Sequence, residues 1–380
     1  MQTEHPEQTL TPWFAVGTDR LRLLSDGQSI FAALLQAIES AEREILVEIY
    51  WFAADAAGAR VRDALLAAAR RGVTVRVVYD SFGSLYTNEK FWSELRRQPS
   101  ARVRIFGPLA PWRRRFKFGR LLRRDHRKLV VIDSARAFIG GFNIGNEWWP
   151  PDGARGWRDD VLELIGPTAL EIRSLFWLSW RKLGGGLPGR VPLIPREGNG
   201  LVWLIANDRR ISRRREIRRT YLQHIRRARE SIDIANAYFL PDHIVFRALR
   251  AARRRGVPVR ILLPEKNDVP HFGLAQIALI PKLIRDGFEV YLYRPVTFHS
   301  KTAIIDDFVT IGSYNLDHRS WRYNLECNLA VFDRPFAEMV RKNFENDLKE
   351  ARLITEAEIH KFPLLLQTAG WLLLKLSFML

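Results

Sequence analysis

The 380-residue sequence predicts an α/β protein made of two similar α/β halves, paired by pseudo-two-fold symmetry so that equivalent loops face each other across one cleft. Three observations predict it. The chain repeats itself once, in three blocks that keep their order. Within the blocks, helical periodicity alternates with short apolar, β-branched runs, the pattern of α/β units and a mostly parallel or mixed sheet. The third block of each half also carries the same polar residues at nearly the same spacing.

The first block reads AIESAEREILVEIYWFAAD in one half and HIRRARESIDIANAYFLPD in the other. Ile38, Ala41, Phe52 and Asp55 match Ile225, Ala228, Phe239 and Asp242 at a constant offset of 187. Each copy is an amphipathic helix followed by a strand rich in Ile, Val and aromatics. The second block is a helix closed by a glycine at C′, Gly72 or Gly256, and then a β-branched strand. The third, DHRKLVVIDSARAFIGGFN or FHSKTAIIDDFVTIGSYN, is an apolar strand, a tight turn and a second apolar strand. Between the halves, PGRVPLIPREGNG is dense in Pro and Gly and reads as a linker. The expected domains are 1–195 and 196–362, with an apolar tail at 363–380.

Composition narrows the function classes. With 47% hydrophobic residues the chain has ample core, which excludes an intrinsically disordered protein. A single cysteine excludes a disulfide framework and a cysteine-based zinc site. The net charge of +18 favours a polyanionic partner, nucleic acid or anionic lipid. The N-terminus has no basic n-region and no apolar h-region, so no signal peptide is expected. Leu364–Leu380 is Leu-rich but interrupted by Gln367, Thr368, Lys375 and Ser377, too broken for a spanning helix. It suits either an interfacial segment or a helix docked on the protein's own core.

The third block carries the chemistry. Each copy presents a His, a Lys two residues on and an Asp five further: His126, Lys128 and Asp133, then His299, Lys301 and Asp306. A glycine turn and an Asn follow, Gly140, Gly141 and Asn143 in one half, Gly312, Ser313 and Asn315 in the other. Docked by pseudo-symmetry, two His, two Lys and two Asn converge. That set suits a phosphodiester. Lys128, Lys301, Asn143 and Asn315 supply charge and donors to the non-bridging oxygens. One imidazole attacks phosphorus, and the other moves the proton of the leaving or attacking alcohol. Neither a metal nor a cofactor is required.

These motifs resemble those of the phospholipase D superfamily, and the resemblance covers nearly the whole chain. It implies two similar α/β/α phospholipase D-like domains, packed by pseudo-two-fold symmetry with one shared active site, and exchange through a phosphohistidine. It further implies His126 as nucleophile and His299 as acid/base, in roles that pseudo-symmetry makes exchangeable. An acidic residue beyond each motif is implied to orient the imidazole: Asp159, beside Asp160, in WRDDVLEL, and Glu326 in YNLECNL. Asp133 and Asp306, though part of the motif, are expected to bond backbone near the turn. Six residues separate Asp133 from Gly140 but five separate Asp306 from Gly312.

Substrate class rests on the rest of the chain. Residues 112–128 hold nine Lys and Arg against Asp125, interleaved with Trp112, Phe116, Phe118, Leu121 and Leu122. Residues 209–229 hold ten Arg and one acid, a pattern a solvated helix face also gives. Such surfaces suit anionic headgroups or single-stranded nucleic acid. The tail and the twelve tryptophans, with Trp148, Trp149 and Trp157 clustered after the first motif, tilt toward lipid. The phrases IYWFAAD, AFIGGFNIGNEW and SYNLDHRSWRYNLECNLAVFD are similar to those of bacterial cardiolipin synthases, and without two N-terminal membrane helices the chain looks like the shorter B-type members. That resemblance implies a peripheral enzyme on the cytoplasmic face of the bacterial inner membrane. It implies a phosphatidyltransferase acting on an anionic phospholipid, most simply phosphatidylglycerol, with no nucleic-acid partner. A phospholipase D-type hydrolase and a nuclease are the alternatives. Charge reversal within 113–120 should lower binding to anionic vesicles, most steeply at low salt; an unchanged vesicle partition would contradict the lipid reading.

Overall fold

Alternating apolar residues in the repeated strands have two faces to bury, and both are buried. The computed structural model describes residues 11–108, 123–187, 200–208 and 215–359. Most of the basic stretch 112–128, the linker with the expected boundary at 195/196, and the tail 363–380 lie outside the described residues.

Among the described residues the strands form two eight-stranded sheets. The first contains β1 (Phe14–Val16), β2 (Asp19–Leu24), β3 (Glu44–Ile49), β4 (Thr74–Asp80), β5 (Ala101–Phe106), β6 (Leu129–Ile132), β7 (Arg136–Gly140) and β8 (Val161–Ile165), in the order β1-β2-β8-β7-β6-β3-β4-β5. The second contains β9 (Val202–Asn207), β10 (Ile232–Asn236), β11 (Val259–Pro264), β12 (Glu289–Tyr293), β13 (Lys301–Ile305), β14 (Phe308–Gly312), β15 (Glu326–Phe332) and β16 (Ala351–Leu353). Its order, β9-β15-β14-β13-β10-β11-β12-β16, repeats the first strand for strand from β2 onward. Strands joined by a crossover helix, β3-β4-β5 and β10-β11-β12, are parallel, and the other pairs are antiparallel.

The helices α1 (Gly27–Glu39), α2 (Ala56–Arg70) and α3 (Ser93–Arg97) cover the outer face of the first sheet. On the second sheet the outer helices are α5 (Glu216–Arg227), α6 (His243–Arg254) and α7 (Pro270–Arg285). Repeat-matched aspartates start matched helices: Asp55 caps α2 by accepting from Gly58 N at 2.8 Å, and Asp242 caps α6 from Ile244 N at 2.8 Å. Both helices end at a glycine in the left-handed region, Gly72 at φ 91° and Gly256 at φ 92°.

Inner faces of the two sheets meet in one shared core, joined by α4 (Thr168–Lys182) and α9 (Arg334–Lys349), while the short α8 (His318–Arg322) lies between β14 and β15 in the chain. Along β3, Ile45 and Val47 pack under the outer helices while Leu46 enters the shared core, as the two-residue period dictates. Leu129, Ile139 and Leu162 of one half meet Ile304, Val309 and Leu329 of the other in that layer. Each fully buried side chain of this kind stabilises by about 1.5–3 kcal/mol, so the halves are held by their largest apolar faces.

The turn after each motif explains the difference in spacing. Ile132 pairs with Arg136, leaving three residues in the first turn, and Ile305 pairs with Phe308, leaving two in the second. The first turn has two residues at positive φ, Asp133 and Ser134, and the second has Asp306 alone. The inserted residue sits in the turn, so both strands keep their register to the motif. At the far end of these hairpins, a Cβ on Gly140 would lie 2.4 Å from Asp160 O, and one on Gly312 would lie 2.3 Å from Cys327 O. Backbone fills that space and cannot yield cheaply. Gly140→Ala and Gly312→Ala should each cost about 1–3 kcal/mol or more, read as a lowered midpoint in thermal or urea unfolding; wild-type stability in both would contradict this packing.

Candidate active site

The two motifs meet where the inner faces of the sheets run out. β6 starts one residue after Lys128, and β13 starts at Lys301, so each His lies in the extended segment just ahead of its strand. Short parallel bridges across the two halves hold these segments, Asp125 with Leu325 and Arg158 with Phe298. His126 N donates to Leu325 O at 2.9 Å, and His299 N donates to Arg158 O at 2.8 Å. Each histidine is therefore fixed by backbone to the residue immediately before an acid of the opposite half.

That acid is its side-chain partner. His126 Nδ1 donates to Glu326 at 3.0 Å, and His299 Nδ1 donates to Asp159 at 2.8 Å. The pairing is crossed: each motif histidine is oriented by the other half's carboxylate. With Nδ1 so occupied, Nε2 is the atom left for chemistry. The acids are fixed in turn. Glu326 accepts from Ser313 Oγ at 2.6 Å and Asn324 Nδ2 at 3.2 Å, and Asp159 accepts from Trp148 Nε1 at 3.0 Å. Asp160 faces elsewhere, to Arg158 at 2.7 Å, Ser300 at 2.5 Å and Thr302 at 2.6 Å.

Burial dominates the electrostatics. It pushes the His126 imidazole well below its ordinary pKa, and the charges of Lys128 and Lys301 add to the effect. His299 is lowered by burial and by Lys301, against the opposing pull of Asp159. Burial also brings Lys128 down to about 7 and Lys301 to about 8, and pushes Glu326 up to about 7. Lys128 Nζ donates to His126 O at 2.8 Å, and Lys301 Nζ likewise donates to His299 O. Burial thus disfavours the charged forms of both imidazoles and both lysines.

His126 and His299 line one cavity of about 410 Å³, and Asn143 and Asn315 line it too. Asn143 Oδ1 accepts from Trp51 N at 3.1 Å, which leaves its NH₂ for a ligand. Asn315 Oδ1 is buried without a partner. Asp133 and Asp306 are not at the cavity. They sit at the far ends of β6 and β13, about 15 Å along the strand from the lysines. Asp133 accepts from the backbone N–H groups of Glu42, Arg43 and Glu44 at 2.7–2.9 Å. Asp306 does the same for Arg229, Glu230 and Ser231 at 2.8–3.1 Å. Although part of the motif by spacing, they are not among the groups at the cavity and instead tie the motif strand to the start of β3 or β10.

Several lining residues were not singled out from the sequence. Tyr50 stands edge-on to His126 at 4.8 Å with Lys128 Nζ 5.1 Å from its ring, and Tyr238 stands edge-on to His299 at 6.1 Å with Lys301 Nζ 5.8 Å away. The aromatic runs IYWF and AYFL were the available signal, but Tyr50 and Tyr238 are offset by one in the repeat. Arg319, Asp317 and Asp268 also line the cavity. Trp148 is fully buried, 5.2 Å from His299. It and Trp157 form a wall of the site, which corrects their reading as membrane-interface residues. The mouth is apolar: Phe82, Leu85 and Tyr86 line it and are 50%, 59% and 90% exposed.

Comparison with known proteins agrees with this geometry. Residues 34–152 and 221–348 match the family described as cardiolipin synthase, PLD-like domain. The chain is 33% identical over 351 residues to the major cardiolipin synthase ClsA of Bacillus subtilis, covering 90% of this chain and 71% of that protein. It is 34% identical over 342 residues to cardiolipin synthase B of Escherichia coli K12, covering 86% and 79%. The crystal structure of phosphatidylserine synthase from Haemophilus influenzae superposes with a TM-score of 0.75 at 17% identity, over 98% of each chain, a likeness of fold.

An anion in this cavity stabilises the charged lysines, so its binding takes up protons. Affinity for inorganic phosphate should therefore fall as pH rises through 7 to 8, where Lys128 and Lys301 discharge. Calorimetry in buffers of different ionisation enthalpy reads the proton uptake; pH-independent binding would contradict it.

Proposed function

Since the chain belongs to the cardiolipin synthase family with the PLD-like domain, we propose that it is a phosphatidyltransferase that joins a phosphatidyl donor to the glycerol hydroxyl of a second phospholipid, most simply two phosphatidylglycerols giving cardiolipin and glycerol. One observation carries the proposal: His126 and His299, each in a crossed pair with a carboxylate of the other half, line one cavity, with Lys128 and Lys301 buried directly behind them on the histidine carbonyls.

In the first step His126 Nε2 attacks phosphorus. A P–N bond forms and the P–O bond to the leaving glycerol breaks, with His299 delivering its Nε2 proton to the departing alkoxide. In the second step His299 takes the proton of the acceptor hydroxyl, whose oxygen attacks the phosphohistidine and frees His126. His126 takes the nucleophile's role, as the family resemblance implies, and burial holds both imidazoles below their ordinary pKa, so either is neutral and able to attack. Glu326 then stabilises the positive charge that grows on that ring. Lys128 and Lys301, with the amides of Asn143 and Asn315, face the charge on the non-bridging oxygens. The anionic phosphodiester restores the lysine and His299 charges that burial suppresses.

The apolar mouth of Phe82, Leu85 and Tyr86 supports a lipid in preference to a nucleic acid. No described helix is long and apolar enough to cross a membrane. A peripheral enzyme on the cytoplasmic face of the bacterial inner membrane is the setting we propose.

Purified protein incubated with phosphatidylglycerol vesicles should yield cardiolipin and free glycerol, and added glycerol should drive the reaction back. Phosphatidic acid as sole product would make water the acceptor and replace the transferase with a hydrolase. His126→Ala should abolish turnover, and His299→Ala should lower kcat by about 10²–10⁴, with the fold intact by circular dichroism. Near-normal turnover in either variant would refute the two-histidine mechanism.

A further inference from the structure

A second cavity, about 650 Å³, opens at the other end of the first sheet. It lies where β3, β4 and β5 begin, whereas the histidine cavity lies where β3 and β4 end. The length of β4 puts roughly 20 Å between them. Arg43, Arg76, Arg102, Arg104 and Arg173 line it with a single acid, Glu44. Glu44 is already engaged: Arg173 forms an ion pair with it, and Ser134 Oγ donates to it at 2.7 Å. Among the described residues the other four arginines have no ion pair.

These arginines are held in place. Arg76 and Arg102 are direct partners across β4 and β5, and Arg104 follows Arg102 on the same face. Backbone carbonyls hold their guanidinium groups: Arg76 Nη1 donates to Ser100 O at 2.6 Å, Arg102 Nη1 to Ala101 O at 2.7 Å and Arg104 Nη2 to Gly184 O at 3.2 Å. Arg104 also lies 4.9 Å from the Trp180 ring. Like charges directly opposite on neighbouring strands are destabilising. Burial and the Arg102 charge both lower the Arg76 pKa.

The second half supplies an internal control. Arg260 of β11 occupies the place of Arg76, and its strand partners are Asp233 and Glu289. Those of Arg76 are Leu46 and Arg102. Arg260 bonds Asp233 at 2.6 Å and Glu345 at 2.6 Å, and Arg341 bonds Asp233 at 3.1 Å. The same place in the same fold is neutralised in one half and left cationic in the other, so the scaffold itself does not require the cluster. We propose that the arginine cavity of the first half is a second, non-catalytic anion site that binds a phosphate-bearing ligand. A phospholipid headgroup and a soluble phosphate compound share the chemistry it recognises.

The test uses the full chain and Arg102→Glu, which gives the first half the acid that the second has at Glu289. Arg254→Glu, on the exposed face of α6, makes the same change of charge elsewhere. With His126→Ala as background, calorimetry follows inorganic pyrophosphate, and flotation follows phosphatidylcholine vesicles containing phosphatidic acid. Arg102→Glu should bind about tenfold more weakly than Arg254→Glu in at least one assay, and without ligand it should melt no lower than wild type. Loss in calorimetry identifies a soluble phosphate compound, and loss in flotation alone identifies a lipid headgroup. If Arg102→Glu fails to fold, Arg104→Gln takes its place with the same expectation. Binding equal to that of Arg254→Glu in both assays overturns the proposal.

Discussion

Everything at the site depends on the crossed imidazole–carboxylate pairs. A carboxylate as buried as Glu326 or Asp159 is costly unless partnered, and its partner sits on the other half of the chain. The backbone bridges beside each pair bring the same two segments together. The apolar layer between the sheets supplies the energy of association, and the pairs supply its register: sliding one sheet against the other would strand two buried acids and two imidazoles at once. Arg158, which bonds Asp160 at 2.7 Å and Asp347 of α9 at 2.6 Å, reinforces the same seam.

Much of this arrangement is legible in the residues. The offset of 187 aligns strands, helix caps and terminal glycines because those features are local: Asp55 and Asp242 cap helices by reaching three residues or fewer along the chain. Convergence of the four motif groups follows from duplication and symmetry alone. The crossing of the pairs does not, since nothing in a spacing tells which carboxylate faces which ring. Nor does periodicity separate Asp159 from its neighbour; a tryptophan N–H and a histidine select one, an arginine and two hydroxyls the other. Tyr50 and Tyr238 escaped because their offset breaks the repeat while their rings do not. Trp148 is another lesson of context, a residue common at membrane interfaces that here serves as a hydrogen-bond donor inside the protein.

Symmetry is kept where two copies must cooperate and relaxed where one suffices. The histidine–carboxylate pairs, the lysine bonds to the histidine carbonyls and the backbone bonds of Asp133 and Asp306 are duplicated, whereas the two asparagines differ in what their Oδ1 accepts. Away from the site, the first turn has gained a residue, β1 extends one sheet at one edge and β16 extends the other at the opposite edge. The strand positions flanking Arg76 and Arg260 differ, Leu46 and Arg102 in one half against Asp233 and Glu289 in the other. Such differences leave the register of the core intact, because they fall in turns, at edges or at strand beginnings.

The crossing also fixes when the protein becomes competent. His126 and Glu326 are 200 residues apart in the chain, and His299 and Asp159 are 140 apart. Contacts of such long range form late, after local helices and hairpins. A nascent first half can build its own sheet and cover one face with helices, yet its histidine has no carboxylate until the second half has emerged and docked. The growing chain thus lacks both crossed pairs, and they arise together in a single late event, when two finished layers close on each other.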